Sequence, residues 1–330
     1  MQQAQGGSSQ VDARSGGSWG SMTVAITGAS GLVGTALTER LRAAGHRVVH
    51  LRRPGSRGDS EGPTWDPSTG TIDEGALEGC DAVVNLAGAS IGEGRWTAGR
   101  KQVLRDSRID GTRLLVETMA KMEQPPRVLV SASAVGFYGD RGDDRLPDTA
   151  ARGRGFLADL AADWETEAMR ARDLGVRVVT PRFAMILDGD AEALKRMMFP
   201  VRMGVGGPLG NGRQWMPWVT LSDVTRAIEF VLSHDASGAV NVVAPSEEQN
   251  RSFTKALARE LHRPAIFPVP GFALRLLLGQ MADELLLAST RAVPEKLLAA
   301  GFDFEHPDVT SALRSVLGKP APRPTPQSAY

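Results

Sequence analysis

The stretch Thr23-Val-Ala-Ile-Thr-Gly-Ala-Ser-Gly-Leu-Val-Gly34 decides the fold. Residues 23–27 form a short apolar run, as expected of a strand covered on both faces. Gly28, Gly31 and Gly34 follow as GxxGxxG, and a helix-length segment then runs to Ala44, where Gly45 stops it. Strand, glycine turn and helix in that order are what dinucleotide binding needs. Gly28 permits the tight turn, Gly31 lets backbone approach a pyrophosphate, and Gly34 lets helix and sheet pack closely. The first helical N–H groups and the positive end of the helix dipole then face the phosphates. Ser30, Leu32 and Val33 complete the predicted loop. An ordinary glycine turn is the rival reading, because the chain has 37 glycines to place.

Outward from this loop, strand-length apolar runs alternate with helical segments. Residues 47–51, 82–86, 128–130 and 177–180 read as strands, and 98–122 as a long helix ended by Pro125 and Pro126. Leu157, Leu160, Ala161, Trp164 and Ala168 mark one face of a further helix. The alternation predicts an α/β fold, a doubly wound parallel Rossmann sheet. Beyond Arg182 the rhythm loosens into a Gly-rich stretch at 204–212, a helix at 222–234, a late strand at 239–243 and a mostly helical remainder. The expected organisation is a disordered extension over 1–21, a dinucleotide-binding Rossmann domain over 22–185 completed by the late strand, a smaller helical substrate lid over 186–318, and an extended Pro-rich tail over 319–330.

The end of the second strand selects the coenzyme. An acid there accepts from the ribose 2′-OH of NAD. This chain has Arg52 and Arg53 instead. Two guanidiniums suit a 2′-phosphate, so NADP (NADPH) is preferred over NAD, with a solvated basic loop as the alternative.

Composition excludes several classes. Lys+Arg and Asp+Glu are 38 each, so the net charge of zero leaves no electrostatic footprint for nucleic acid or an anionic membrane. No apolar run approaches the ~18 residues of a membrane span. The lone Cys80 cannot form an internal disulfide and reads as a small buried hydrophobe in a reducing compartment. The five histidines show no ligand spacing, so no metal is expected. The expected protein is cytoplasmic, a monomer or homodimer, and acts on a small-molecule substrate.

Further segments give a resemblance. Asn85-Leu-Ala-Gly88, Arg95-Trp96, Arg105-Asp-Ser-Arg108, Ser131-Ala-Ser-Ala-Val-Gly-Phe-Tyr-Gly139, Asp163-Trp-Glu165, Gly206-Gly-Pro-Leu-Gly210, Gln214-Trp215 and Pro294-Glu-Lys-Leu-Leu298 follow the glycine loop in order. With that loop the chain resembles the extended short-chain dehydrogenase/reductases. Within them it resembles an atypical branch of NAD(P)-dependent sugar-nucleotide epimerases that ends in a short C-terminal domain of unknown function. The resemblance implies that Asn85, Leu86, Ala87 and Gly88 line the adenosine side of the coenzyme. Ser131 and Ser133 come at the C-terminal end of a strand, where ligands bind in open α/β sheets. Pro181 and Arg182 approach the nicotinamide half, and Trp96, Gln214, Trp215 and Trp218 belong to the substrate pocket. For the tryptophans, core packing is the alternative.

The resemblance breaks at the proton-transferring pair. Active members carry a Tyr, and a Lys four residues later, on the helix after the Ser strand; the Lys lowers the Tyr pKa so that a phenolate accompanies hydride transfer. Ungapped alignment puts Phe156 and Leu160 there, and Arg108 stands where Asn is usual. Apart from Tyr330 in the tail, Tyr138 is the chain's one phenol. The expectation is that Tyr138, with Ser133 and Arg108, serves as the acid/base. A structural aromatic in the turn with Gly139 is the alternative, as an ion pair to Asp106 or Asp110 is for Arg108. The acids Asp140, Asp143 and Asp144 read as a solvated loop, or one that closes over a ligand. The function expected is hydride exchange with a small polar substrate by an NADP-dependent oxidoreductase or epimerase. Its rival is an NADPH-binding sensor without turnover.

Overall fold

Side-chain alternation along the strands builds the two faces of a central parallel sheet. A computed structural model describes residues 20–55 and 62–318. Residues 1–19 of the expected extension, and the whole expected tail, lie outside the described residues. The seven-stranded sheet consists of β1 (Thr23–Thr27), β2 (Arg47–Leu51), β3 (Ala82–Asn85), β4 (Val128–Ser131), β5 (Arg177–Phe183) and β6 (Gly238–Val242), in the order β6-β5-β4-β3-β1-β2, with the two-residue strand Ser133–Ala134 also paired to β5. It is the Rossmann arrangement, with helices on both faces and a small helical C-terminal region.

In β1, Val24 and Ile26 join one core and Ala25 the other. On the first face lie Leu37 and Leu41 of α1 (Leu32–Ala43), together with Val224, Ile228 and Val231 of a later helix, Leu221–Ser233. Leu37 and Leu41 are fully buried, worth roughly 1.5–3 kcal/mol each. On the second face pack Leu115 and Met119 of α2 (Ala98–Met119) and Ala168 of α3 (Phe156–Met169). Cys80 sits in this second core as a buried apolar group.

The long helix stops at Met119, three residues before its expected end, and β5 runs three residues past its own. The second difference matters for the site. β4 pairs with β5 only as far as Val179, and Ser133–Ala134 then takes over, with Ser133 opposite Arg182. Thr180 and Pro181 fall in the gap, where Pro181 has no ladder bond to give on that side.

Beyond the sheet, Met185–Leu187 pairs with Trp218–Thr220. Around that pair lie α4 (Glu192–Arg202), α6 (Asn250–Leu261) and α9 (Val309–Val316); the helix Leu221–Ser233 is α5. The short helices α7 (Gly271–Leu278) and α8 (Glu295–Ala299) flank a π-helical turn, Ala282–Leu287. Buried Asp148 fastens this region to the sheet, accepting from the backbone N–H of Asn241 and of Lys296. Among the described residues no helix is long and apolar enough to cross a membrane, and no cluster of three or more His, Cys, Asp or Glu could hold a metal.

Candidate functional site

The strand order reverses between β1 and β3, and ligands of open α/β sheets bind in the crevice outside the carboxyl ends at such a switch point. The glycine loop leaves β1 there and Leu86–Gly88 leaves β3. Gly28 has a φ of +69°, and a Cβ on it would lie 2.9 Å from the Ala87 nitrogen. A Cβ on Gly34 would come within 2.2 Å of the Gly28 carbonyl oxygen, so the close packing predicted for Gly34 is against the turn itself. Gly31 is the N-cap of α1, with no side-chain cap bond. Ser30, Gly31 and Leu32 are exposed. The donor set is therefore backbone N–H at an open helix N-terminus, lined by glycine, and it fits a diphosphate.

Arg52 and Arg53 follow β2, the strand hydrogen-bonded to β1. Arg52 is half-buried and bridges to Thr64; Arg53 is exposed and near enough to Asp66 to lower that carboxyl, whose shift comes mainly from the Ser68 hydrogen bonds.

Asn85 and Ser131 face into the protein. Thr27 donates to Asn85 Oδ1 (2.7 Å), and Asn85 Nδ2 donates to Thr112 (2.9 Å) and Ser131 (3.2 Å). Both residues are buried, so they brace the floor of the crevice rather than offer free polar atoms to a ligand.

Ser133 is held between β5 and α3. Its hydroxyl donates to Glu165 Oε1 at 2.6 Å, and Arg182 clamps the same carboxylate in a fork, Nε to Oε1 and Nη2 to Oε2, each 2.7 Å. The side chains of Arg182 and Glu165 are 5% and 11% exposed. Burial alone would lower the Arg182 pKa, but Glu165 and Tyr138 more than reverse it, and the guanidinium is held above its usual range. Glu165 was not singled out among the candidate site residues. The signal was an acid on the buried side of a helix and an arginine in a buried strand, two charges that each require a partner.

Tyr138 corrects an expectation. It is fully buried, its hydroxyl donates to Asn241 Oδ1 (2.7 Å), lies 3.1 Å from the Pro147 carbonyl and accepts from Arg182 Nη1 (2.8 Å). Burial raises its pKa, and the attraction of Arg182 only partly offsets this. A phenol with every bonding direction used and no exposed surface does not reach a substrate. In a Tyr330→Phe chain, absorbance at 295 nm should show no tyrosinate forming as pH passes ~10 until the protein unfolds. A raised native pKa stabilises the fold below the unfolded value and ceases to do so as pH climbs through the native one. Free titration near pH 10 would contradict the burial.

Arg108 forms neither of the ion pairs that were its alternative role: Asp110 pairs with Arg113 and Asp106 accepts from Gln102. Its Nη1 and Nη2 donate to the Leu104 (3.2 Å) and Ala89 (3.0 Å) carbonyls, and its buried Nε has no acceptor. Burial, then repulsion from Arg100, brings its pKa down to about 10, so it remains a cation at neutral pH. The guanidinium presses on the β3 loop; a Cβ on Gly88 would lie 3.0 Å from Cζ.

A cavity of about 190 Å³ opens between the start of α3 and the C-terminal region, lined by Gly136, Leu157, Arg154 and Asp140 on one side and Arg275, Asp283 and Glu284 on the other. The Glu284 carboxylate accepts from the N–H groups of Phe156 and Leu157 and so caps α3. The four residues expected in a substrate pocket are absent from this lining. Trp218 is 1% exposed in the core beneath α4, and Trp96 stacks edge-on to Phe156. Gln214 ties Leu209 to Leu286, and Trp215 donates to Asp143 with Arg291 over its ring. They build walls.

Residues 24–244 match the family model of the NAD dependent epimerase/dehydratase family, and 269–316 match a domain of unknown function, DUF1731. The epimerase family protein of Mycobacterium bovis is 41% identical over 298 residues, 90% of this chain and 98% of its own. That of Bacillus subtilis, YfhF, is 36% identical, with 90% and 98% covered. Among solved structures, the human epimerase family protein SDR39U1 (isoform 2) with NADPH superposes with a TM-score of 0.81 at 30% identity, over 90% of this chain and 99% of that one. The nucleoside-diphosphate sugar epimerase of Corynebacterium glutamicum gives 0.72 at 33%, over 91% of this chain and 59% of that one.

Proposed function

The chain belongs to the NAD dependent epimerase/dehydratase family, and on that premise we propose an NADP(H)-dependent oxidoreductase of epimerase-like type that exchanges hydride with a small polar substrate. One observation carries this: an uncapped helix N-terminus enclosed by three glycines, two of which leave no room for a Cβ. Bound there, the coenzyme supplies the hydride chemistry. The amides of Leu32 and Val33 hold its diphosphate, Leu86–Gly88 flank its adenosine, and Pro181 and Arg182 stand toward its nicotinamide half. Arg52 and Arg53 take the 2′-phosphate. Ser133, 2% exposed, spends its proton on Glu165 and so helps hold that carboxylate and Arg182 in place beneath the crevice. Arg108 lends uncompensated positive charge beside Gly88, which favours an anionic group nearby. Residues 22–185, with β6, form the coenzyme-binding part, and 186–318 the lid. The mixed charges of the cavity suit a polar substrate, and the neutral chain lacking a membrane span suits a cytoplasmic monomer or homodimer.

Tyr138 we assign to the structure. The buried side of the first two turns of α3 offers Leu157, Leu160 and Ala161, none of which moves a proton, and the one acid there, Asp159, is exposed and paired with Arg152; this favours a second reading, a coenzyme-binding protein without turnover. The two separate in one experiment, the fluorescence of bound NADPH followed for hours with a panel of carbonyl compounds and sugar nucleotides. Consumption with any member supports the enzyme; stable binding throughout supports the sensor. In the same assay Arg52→Ala/Arg53→Ala should weaken NADPH about 10- to 100-fold by removing charge-assisted bonds, and leave NADH unchanged. Equal losses for both coenzymes would remove the 2′-phosphate role.

A further inference from the structure

Twelve large apolar side chains stand exposed among the described residues, and eight of them fall within 199–205 and 266–277. Phe199 lies in the last turn of α4, Met203 caps it and Val205 follows, and Ile266 and Phe267 lie in the connection after α6. The two segments are one surface. The Phe267 N–H donates to the Gly206 carbonyl (3.2 Å), that of Val269 to Pro208 (2.9 Å), and Arg263 Nε to the Arg202 carbonyl (3.3 Å). The short helix α7 is apolar apart from Arg275, which pairs with Asp283. Leu274 faces inward, while Phe272, Leu276 and Leu277 point outward at 72%, 79% and 68% exposure. An apolar helix face of this kind is ordinarily covered.

The charge of the same face says by what. Residues 195–213 and 251–277 carry nine Lys and Arg. Lys195, Arg196 and Arg275 are paired with Asp190, Glu192 and Asp283 just outside these segments, and the one acid within them, Glu260, is buried against Arg314. Six cations are left without a carboxylate partner among the described residues. Arg202, between Phe199 and Met203, and Arg263, just before Ile266, have no carboxylate partner among the described residues. Along α6 the exposed Arg251, Lys255 and Arg259 recur every four residues, one stripe leading to Arg263. A chain neutral overall thus concentrates positive charge around its largest apolar surface. Convex side chains exposed by half or more do not form a small-molecule pocket, which is concave. A second copy docked on the same face about a twofold axis would set these cations against themselves.

We infer that this face, the end of α4, residues 263–269 and α7, seats on an anionic lipid surface, with Phe199, Phe267, Phe272 and Leu276 entering the headgroup boundary and the basic stripe meeting lipid charge. No spanning helix is involved. Arg275 of α7 also lines the cavity beside α3, so seating places that cavity next to the lipid. This inference is independent of the coenzyme assignment.

Flotation of the full chain with vesicles tests it. Binding is expected to vesicles of phosphatidylglycerol and phosphatidylcholine, falling as salt rises, and not to phosphatidylcholine alone. Phe272→Asp/Leu276→Asp should reduce binding by about tenfold or more. Should that pair lower the melting temperature, the charge reversal Arg202→Glu/Arg263→Glu reads the same surface and should also lose binding. Three results overturn the inference. The first is no binding to anionic vesicles at low salt. The second is binding untouched by both pairs. The third is a dimer in sedimentation that the same substitutions dissolve, which identifies a second copy.

Discussion

Replacing Gly31 by aspartate should weaken NADPH binding by about 100-fold or more and leave the melting temperature unchanged or slightly raised. Gly31 has φ −80° and ψ 172°, a backbone that any residue adopts, and a Cβ there meets only the Gly28 carbonyl at 3.3 Å. Aspartate is among the preferred N-cap residues, so its carboxylate would take up the first amides of α1, a gain of a few tenths of a kcal/mol over glycine. Those are the amides assigned to the coenzyme's diphosphate. The substitution therefore removes the donors and sets a negative charge beside two others. At an effective dielectric of 20, like charges about 4 Å apart cost about 4 kcal/mol, and the exposure of this loop reduces that to roughly 3 kcal/mol, or about 100-fold. Stability and binding thus move in opposite directions, which a general loss of folding would not produce. Fluorescence titration with NADPH and a thermal melt read the two separately. Affinity kept within a few fold would place the phosphates elsewhere.

The second large effect lies beneath the site. Arg182→Met should cost about 3–5 kcal/mol of unfolding free energy in urea, because it strands Glu165 as a buried charge. It also removes the donor to Tyr138 and the guanidinium 3.5 Å over the Phe137 ring. The double variant Arg182→Met/Glu165→Leu should recover a good part of the loss, since two apolar groups need no partner while one buried carboxylate does. A single-variant cost under about 1 kcal/mol would show that water reaches Glu165 and that the pair does not fasten Ser133 between β5 and α3.

Much of this architecture is legible from residue order. The run at 23–27, the three glycines and the stop at Gly45 specify a strand, turn and helix by local chemistry, and β1, α1 and β2 fall where that chemistry puts them. Arg52 and Arg53 are legible for the same reason, since they follow a strand end that pairing with β1 brings beside the loop. The site around Ser133 is not local. Glu165, Arg182, Tyr138 and Asn241 meet across 103 residues of chain, and spacing along the sequence gives no measure of that. Tyr138 attracted a catalytic reading because phenols are scarce in this chain, yet scarcity carries no information about burial. Trp218 lies 1% exposed in a core cluster, as large aromatics bury area wherever they sit, and its spacing in the sequence does not separate that place from a pocket wall. The neutral net charge is a sum over the chain, and it does not show how the cations are distributed over the surface.

The central claim is that a coenzyme diphosphate rests on the first amides of α1, and a crystal structure at saturating NADPH tests it most directly. The account predicts diphosphate oxygens within hydrogen-bond distance of the Leu32 and Val33 nitrogens, with the adenosine 2′-phosphate beside Arg52 and Arg53. Coenzyme bound at any other place, or a glycine loop with no phosphate against it, would contradict it.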